Sequence, residues 1–122
     1  MATIEAESPN REAIDAWNGV LFDKFLRFRH VLTEGLAHHG DAALKREPPA
    51  QGSHVIDIGC GFGDTTQWLG ALVGPQGRAI GIDAAPRFVD IAAVDATAAQ
   101  CGNVAFRVAD AEVDDLGGPY TL

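Results

Sequence analysis

Hydrophobic and polar positions change rhythm once along this chain. From Asn10 to about His39 they recur at steps of three and four, with Leu21, Phe25, Phe28, Leu32 and Leu36 forming one apolar stripe that Phe22 and Leu26 widen. That spacing predicts helix. Glu47-Pro48-Pro49-Ala50-Gln51-Gly52 then breaks the chain. After the break, short apolar runs alternate with helical stretches. Strands are expected over His54–Ile58, Arg78–Ile82 and Val104–Ala109. Helices are expected over Asp64–Val73 and from Pro86 to about Cys101, the second with Phe88, Ile91, Val94 or Asp95, and Ala98 at helical spacing. Gly74-Pro75-Gln76-Gly77 reads as a turn, and Gly118-Pro119-Tyr120-Thr121-Leu122 as the approach to a fourth strand.

Alternation of this kind implies an α/β fold: a Rossmann-like parallel sheet joined by crossovers, with the ligand at the strands' carboxyl ends. Residues 1–9 read as a loose tail, 10–50 as a helical cap region and 51–122 as the N-terminal half of the sheet domain. His38 and His39 adjoin Gly40, where the cap helix is expected to end and its C-terminus to favour positive charge. Phe22, Phe25 and Phe28 are expected either to pack this helix on the sheet or to help form a pocket with Trp17. Trp68 is expected in packing.

The richest segment is Val55-Ile56-Asp57-Ile58-Gly59-Cys60-Gly61-Phe62-Gly63-Asp64, a buried strand ending in a turn too tight for side chains. Glycines at alternate positions admit left-handed backbone and leave room for a small molecule. Asp64 is expected to cap the following helix, with Gln67 completing a loose capping box, and the free N–H groups there suit a carboxylate or a phosphate. A dinucleotide fingerprint needs a third glycine where Asp64 stands. A carboxylate there would repel a pyrophosphate, which argues against an NAD-type oxidoreductase. With Asp57 as a second acid beside the turn, a ligand bearing its own positive charge fits better.

Three segments in order resemble the class I S-adenosylmethionine-dependent methyltransferases. Val55 to Gly63 is similar to that family's first motif, Gly81-Ile82-Asp83 to the strand ending in an acid, and Val108-Ala109-Asp110-Ala111 to the third acidic site. Asp83 lies 24 residues after Gly59, as one crossover helix requires. The resemblance implies cofactor contacts from Asp57, Gly59, Cys60, Gly61 and Gly63, from Asp83 and Ala84, and from Asp110 and Ala111. It gives Asp83 the ribose hydroxyls and Asp110 the adenine amino group. S-adenosylmethionine carries an ammonium, a carboxylate and a sulfonium but no phosphate. Acids can accept from the ammonium and ribose, while backbone N–H groups near Gly61 and Gly63 are expected to donate to the carboxylate. Asp57 either contacts the ligand or only anchors the turn through backbone N–H groups.

The resemblance further implies methyl transfer to a small-molecule acceptor, with Asn10 and Trp17-Asn18-Gly19 similar to an N-terminal pattern of some small-molecule members. The alternative is a non-catalytic, degenerate cofactor-binding fragment. No general base, catalytic side chain or metal is read from the sequence. A complete domain of this family continues through a fourth strand, which pairs with the first. An N-terminal portion of a longer or split enzyme is therefore expected, with self-association through an open sheet edge or pairing with a missing C-terminal half.

Composition narrows the partners. The 122 residues carry a net charge of −8, and in residues 51–122 only Arg78, Arg87 and Arg107 offset nine acids. Nucleic acid is thereby excluded as a partner, since phosphate binding needs clustered bases. No apolar run reaches the ~18–20 residues of a membrane span, and the first residues lack a signal peptide's basic flank, so a soluble cytoplasmic domain is expected. Cys60 and Cys101 fit free thiols in that compartment.

Overall fold

The computed structural model describes residues 8–122. The tail expected over 1–9 therefore lies, for residues 1–7, outside the described residues. Helices α1 (Arg11–Ala16), α2 (Phe22–Arg27) and α3 (Arg29–Arg46) come first, with a π-helical turn at Trp17–Leu21 between α1 and α2. They are followed by β1 (His54–Ile58), α4 (Asp64–Val73), β2 (Arg78–Asp83), α5 (Pro86–Ala98) and β3 (Val104–Val108). The strands form one parallel sheet in the order β1-β2-β3, with Ile58 beside Ile82 and Asp83 beside Val108. This is a Rossmann-like arrangement, and it brings the ends of all three strands to one edge.

Strand alternation decides what each face holds. Val55 and Ala79 pack with Leu69 and Val73 of α4 in one buried cluster. Gly81 is needed for close approach, because a Cβ there would lie 2.7 Å from both the Phe106 ring and Thr66 Oγ1. A second cluster sits beside the glycine turn, where Phe22 meets Phe62, Ala85 and Phe88. Phe22 and Phe25 of the cap thus pack on the turn and α5.

Three expectations need correction. The helical stretch from Asn10 to about His39 is broken at Gly19 (φ −114°, ψ −109°) and again at Phe28 (φ −108°, ψ 17°), so the residues read as one apolar stripe do not form one face. Phe22 is 3% exposed, whereas Phe28 and Leu36 are 49% and 64% exposed. The helix does not stop at Gly40 but continues to Arg46. Gly40 lies inside that helix, beside the Trp68 ring. In α5 the buried face is Phe88, Val89, Ala92 and Ala96, while Val94 is exposed and the helix ends at Ala98. The small Ala92 faces Gly63, and this close approach outweighs the larger apolar residues in fixing the helix's rotation.

Beside β1, the Thr121 N–H donates to the His54 carbonyl at 2.9 Å, and the Ile56 N–H donates to the Leu122 carbonyl at 3.0 Å. The last residues therefore lie along β1, where a fourth strand was expected. Among the described residues no helix is long and apolar enough to cross a membrane.

Candidate cofactor-binding site

The turn after β1 is held in shape by Asp83. Its Oδ2 accepts from the Gly61 N–H at 3.0 Å and its Oδ1 from the Ala85 N–H at 2.9 Å, while the Cys60 N–H donates to the Ile82 carbonyl at 2.9 Å. Gly59, Gly61 and Gly63 adopt φ of +72°, +54° and +83°, which side chains disfavour. Their purposes differ. A Cβ at Gly59 would meet nothing within 4 Å, and one at Gly61 would only touch Phe88 at 4.0 Å, so both face open space. A Cβ at Gly63 would lie 2.7 Å from Phe106, which makes Gly63 a packing residue.

Two details of the turn depart from expectation. Asp64 makes no capping bond; Gly63 occupies the N-cap, and the Gln67 N–H donates to the Gly63 carbonyl as in ordinary helix. The Gly61 and Gly63 N–H groups are also already used, by Asp83 and by the Cys60 carbonyl at 2.9 Å. Left-handed glycines turn these donors back into the loop.

A cavity of about 660 Å³ opens above the strand ends. Of the residues singled out in the sequence, Gly59, Cys60, Gly61, Asp83, Ala84 and Ala111 line it. Asp57, Gly63 and Asp110 are not among its lining. Asp57 faces α4, where its Oδ2 accepts from Thr66 Oγ1 at 2.6 Å. Asp110 is bound by the N-terminal segment: its Oδ2 accepts from Ser8 Oγ at 2.6 Å and from Asn10 Nδ2 at 3.0 Å. Those bonds, Ser8 first, hold the Asp110 carboxyl below its ordinary range. The Cys60 thiol is pushed up to about 12 by burial and by the Asp83 and Asp57 charges, which keeps it protonated and removes it as a nucleophile.

Burial raises the Asp57 carboxyl above its ordinary value of 3.8, against the pull of the Thr66 bond and with the Asp83 charge adding to the rise. A raised carboxyl favours the fold below 3.8 and loses that contribution as pH climbs through its folded value. Asp57→Asn keeps an acceptor for Thr66 without the charge. It is expected to raise the melting temperature at neutral pH and to match wild type in acid, as thermal melts across that range would record.

The cap supplies much of the wall, and of the two roles expected for its aromatics Trp17 and Phe25 take a place at the pocket. Trp17 and Phe25 pack edge to face with centroids 5.2 Å apart, and both line the cavity, as do Leu32, Leu36 and Trp68. Arg29 is the only lysine or arginine among the described lining residues. It stacks 4.5 Å over the Phe62 ring and pairs with Asp95 at 2.6 Å. Asn18, within the quoted N-terminal pattern, accepts from the Arg87 N–H at 2.8 Å and so closes the first turn of α5.

This geometry suits an adenosyl cofactor: an open glycine turn, an acid at the tip of the next strand with lone pairs to spare, and a cleft of the size small molecules occupy. A family model described as "Methyltransferase domain" matches residues 49–115, more than half of the chain. The chain belongs to the methyltransferase domain family. S-adenosylmethionine is the cofactor of this family. Aklanonic acid methyltransferase DauC of Streptomyces sp. (strain C5) is 41% identical over 64 residues, covering 52% of this chain and 29% of that protein. Demethylmenaquinone methyltransferase of Symbiobacterium thermophilum is 28% identical over 90 residues, covering 70% of this chain and 36% of its own length. The crystal structure of a SAM dependent methyltransferase from Aquifex aeolicus superposes with a TM-score of 0.54 at 26% identity, over 57% of this chain and 37% of that one. This methyltransferase domain therefore spans about a third of the length of the curated relatives it matches.

Proposed function

We propose that the chain binds S-adenosylmethionine in the cleft between Gly59 and Asp83 and directs its methyl group to a small-molecule acceptor. The observation that carries this reading is the pairing of Gly61 with Asp83, which fixes an open turn beside a strand-end acid. Asp83 accepts from the ribose hydroxyls, while Gly59 and Gly61 leave room for the chain that links ribose to methionine. Ala84 and Ala111 flank the adenine, and Asp110 holds the loop that carries Ala111. When bound, the cofactor supplies a methyl group on a positive sulfur, ready for in-line displacement. What the protein adds is alignment and exclusion of water, and the aromatic wall of Trp17, Phe25 and Phe88 serves both.

An apolar small molecule fits the acceptor side, where Trp17, Phe25, Leu32 and Leu36 line the cavity. The relatives named for aklanonic acid and demethylmenaquinone support that class. Incubation with methyl-labelled S-adenosylmethionine and a panel of aromatic acids, phenols and quinols tests the reading. Label transferred to one class supports it. Cofactor binding with no transfer to any of them favours the non-catalytic alternative.

A further inference from the structure

The turn leaves the methionine end of the ligand without the partners expected for it. The Gly61 and Gly63 N–H groups are consumed inside the loop, and Asp57 is turned toward Thr66. Among the described residues, four charged side chains line the cavity: Arg29, Asp41, Asp64 and Asp83. Asp83 is held by two backbone N–H groups, and Asp41 pairs with Lys45 at 3.2 Å, one helical turn along α3.

Arg29 and Asp64 stand differently. Their charged groups are 3.7 Å apart, beyond a good hydrogen bond, with side chains 29% and 49% exposed. Both are at the mouth of the turn: Asp64 directly follows Gly63, and Arg29 lies over Phe62, which the turn contains. Asp95 grips one guanidinium nitrogen at 2.6 Å and so fixes its orientation from α5, leaving other donors of the fork free.

We propose that Arg29 and Asp64 form a clamp for an α-amino acid group, the guanidinium taking its carboxylate and the aspartate its ammonium. Resting on the cofactor reading above, this assigns the clamp to the methionine end of S-adenosylmethionine. A loosely paired cation and anion, side by side at the cleft, complement a zwitterion whose own charges are similarly close. Because Arg29 comes from α3, the clamp also makes cofactor affinity depend on docking of the helical cap.

Calorimetric titration with two ligands separates the clamp from the rest of the site. S-adenosylhomocysteine has the amino acid end, and 5′-methylthioadenosine lacks it while keeping the nucleoside. Arg29→Gln and Asp64→Asn are each expected to weaken S-adenosylhomocysteine by about tenfold or more and to leave methylthioadenosine within about twofold, since a charge-assisted pair is lost from one ligand only. Asp64→Asn guards against a folding artefact, because its side chain is half exposed and outside the core. Unchanged affinity for S-adenosylhomocysteine, or equal losses for both ligands, would overturn the clamp and leave the nucleoside site standing. Wild-type protein that binds neither ligand would overturn both the clamp and the cofactor reading.

Discussion

Gly63→Ala is expected to destabilise the domain by roughly 2–5 kcal/mol, the sum of left-handed strain and overpacking. Its backbone sits at φ +83°, and the added methyl would press on Phe106 at 2.7 Å and on Ala92 at 3.0 Å. Neither neighbour can withdraw easily, since Phe106 also fills the space above Gly81 and Ala92 is fully buried in α5. Gly59→Ala carries a similar strain at φ +72° but meets nothing within 4 Å. It should cost only about 1–2 kcal/mol of strain, while its methyl faces the cleft and lowers cofactor affinity. Denaturant unfolding of the two variants measures the difference. Equal losses would show that Gly63 does not serve helix–strand packing.

Asp83→Ala is expected to cost affinity and stability together. Removing the carboxylate strands the N–H groups of Gly61 and Ala85, which the wild-type side chain satisfies at 3.0 and 2.9 Å. The stability loss should be roughly 1–3 kcal/mol, and loss of the ribose bonds should weaken S-adenosylhomocysteine by about tenfold or more. Thermal melts and titration of the folded variant separate the two effects. Reduced stability with wild-type affinity would make Asp83 a turn anchor and nothing else.

What the sequence discloses follows the range of the interactions involved. Strand β1 and helix α4 are found with the bounds expected, His54–Ile58 and Asp64–Val73, because an apolar run, alternate glycines and a following turn are local signals. The cap helices obey contacts distant in sequence. Gly19 and Phe28 break them where Phe22 docks on Phe62 and Phe88, and no periodicity anticipates that. Helix α5 misleads in the same manner, since Ala92 and Ala96 are small enough to vanish from a hydrophobic stripe yet face the core.

The candidate site divides similarly. Gly59, Cys60, Gly61, Asp83 and Ala84 converge on the cleft because the turn and the adjacent strand end are neighbours by topology. Asp57 shares its sheet face with Gly81 and Asp83 but lies, in register, two residues short of Asp83 at the strand tip, where Thr66 of α4 takes its carboxylate. Asp110 is claimed by Ser8 and Asn10, partners about a hundred residues away. Arg29 reaches the turn only through the docking of α3, and its place in Arg27-Phe28-Arg29 gives no hint of that.

Calorimetric titration of wild-type protein with S-adenosylhomocysteine and with NAD addresses most directly whether the Gly59–Gly63 turn and Asp83 form a cradle for a sulfonium nucleoside. Saturable binding of S-adenosylhomocysteine at one site, with no heat from NAD, is the expected result, because Asp64 stands where a diphosphate would have to sit. Binding of NAD at that cleft, or no binding of S-adenosylhomocysteine to folded protein, would contradict it.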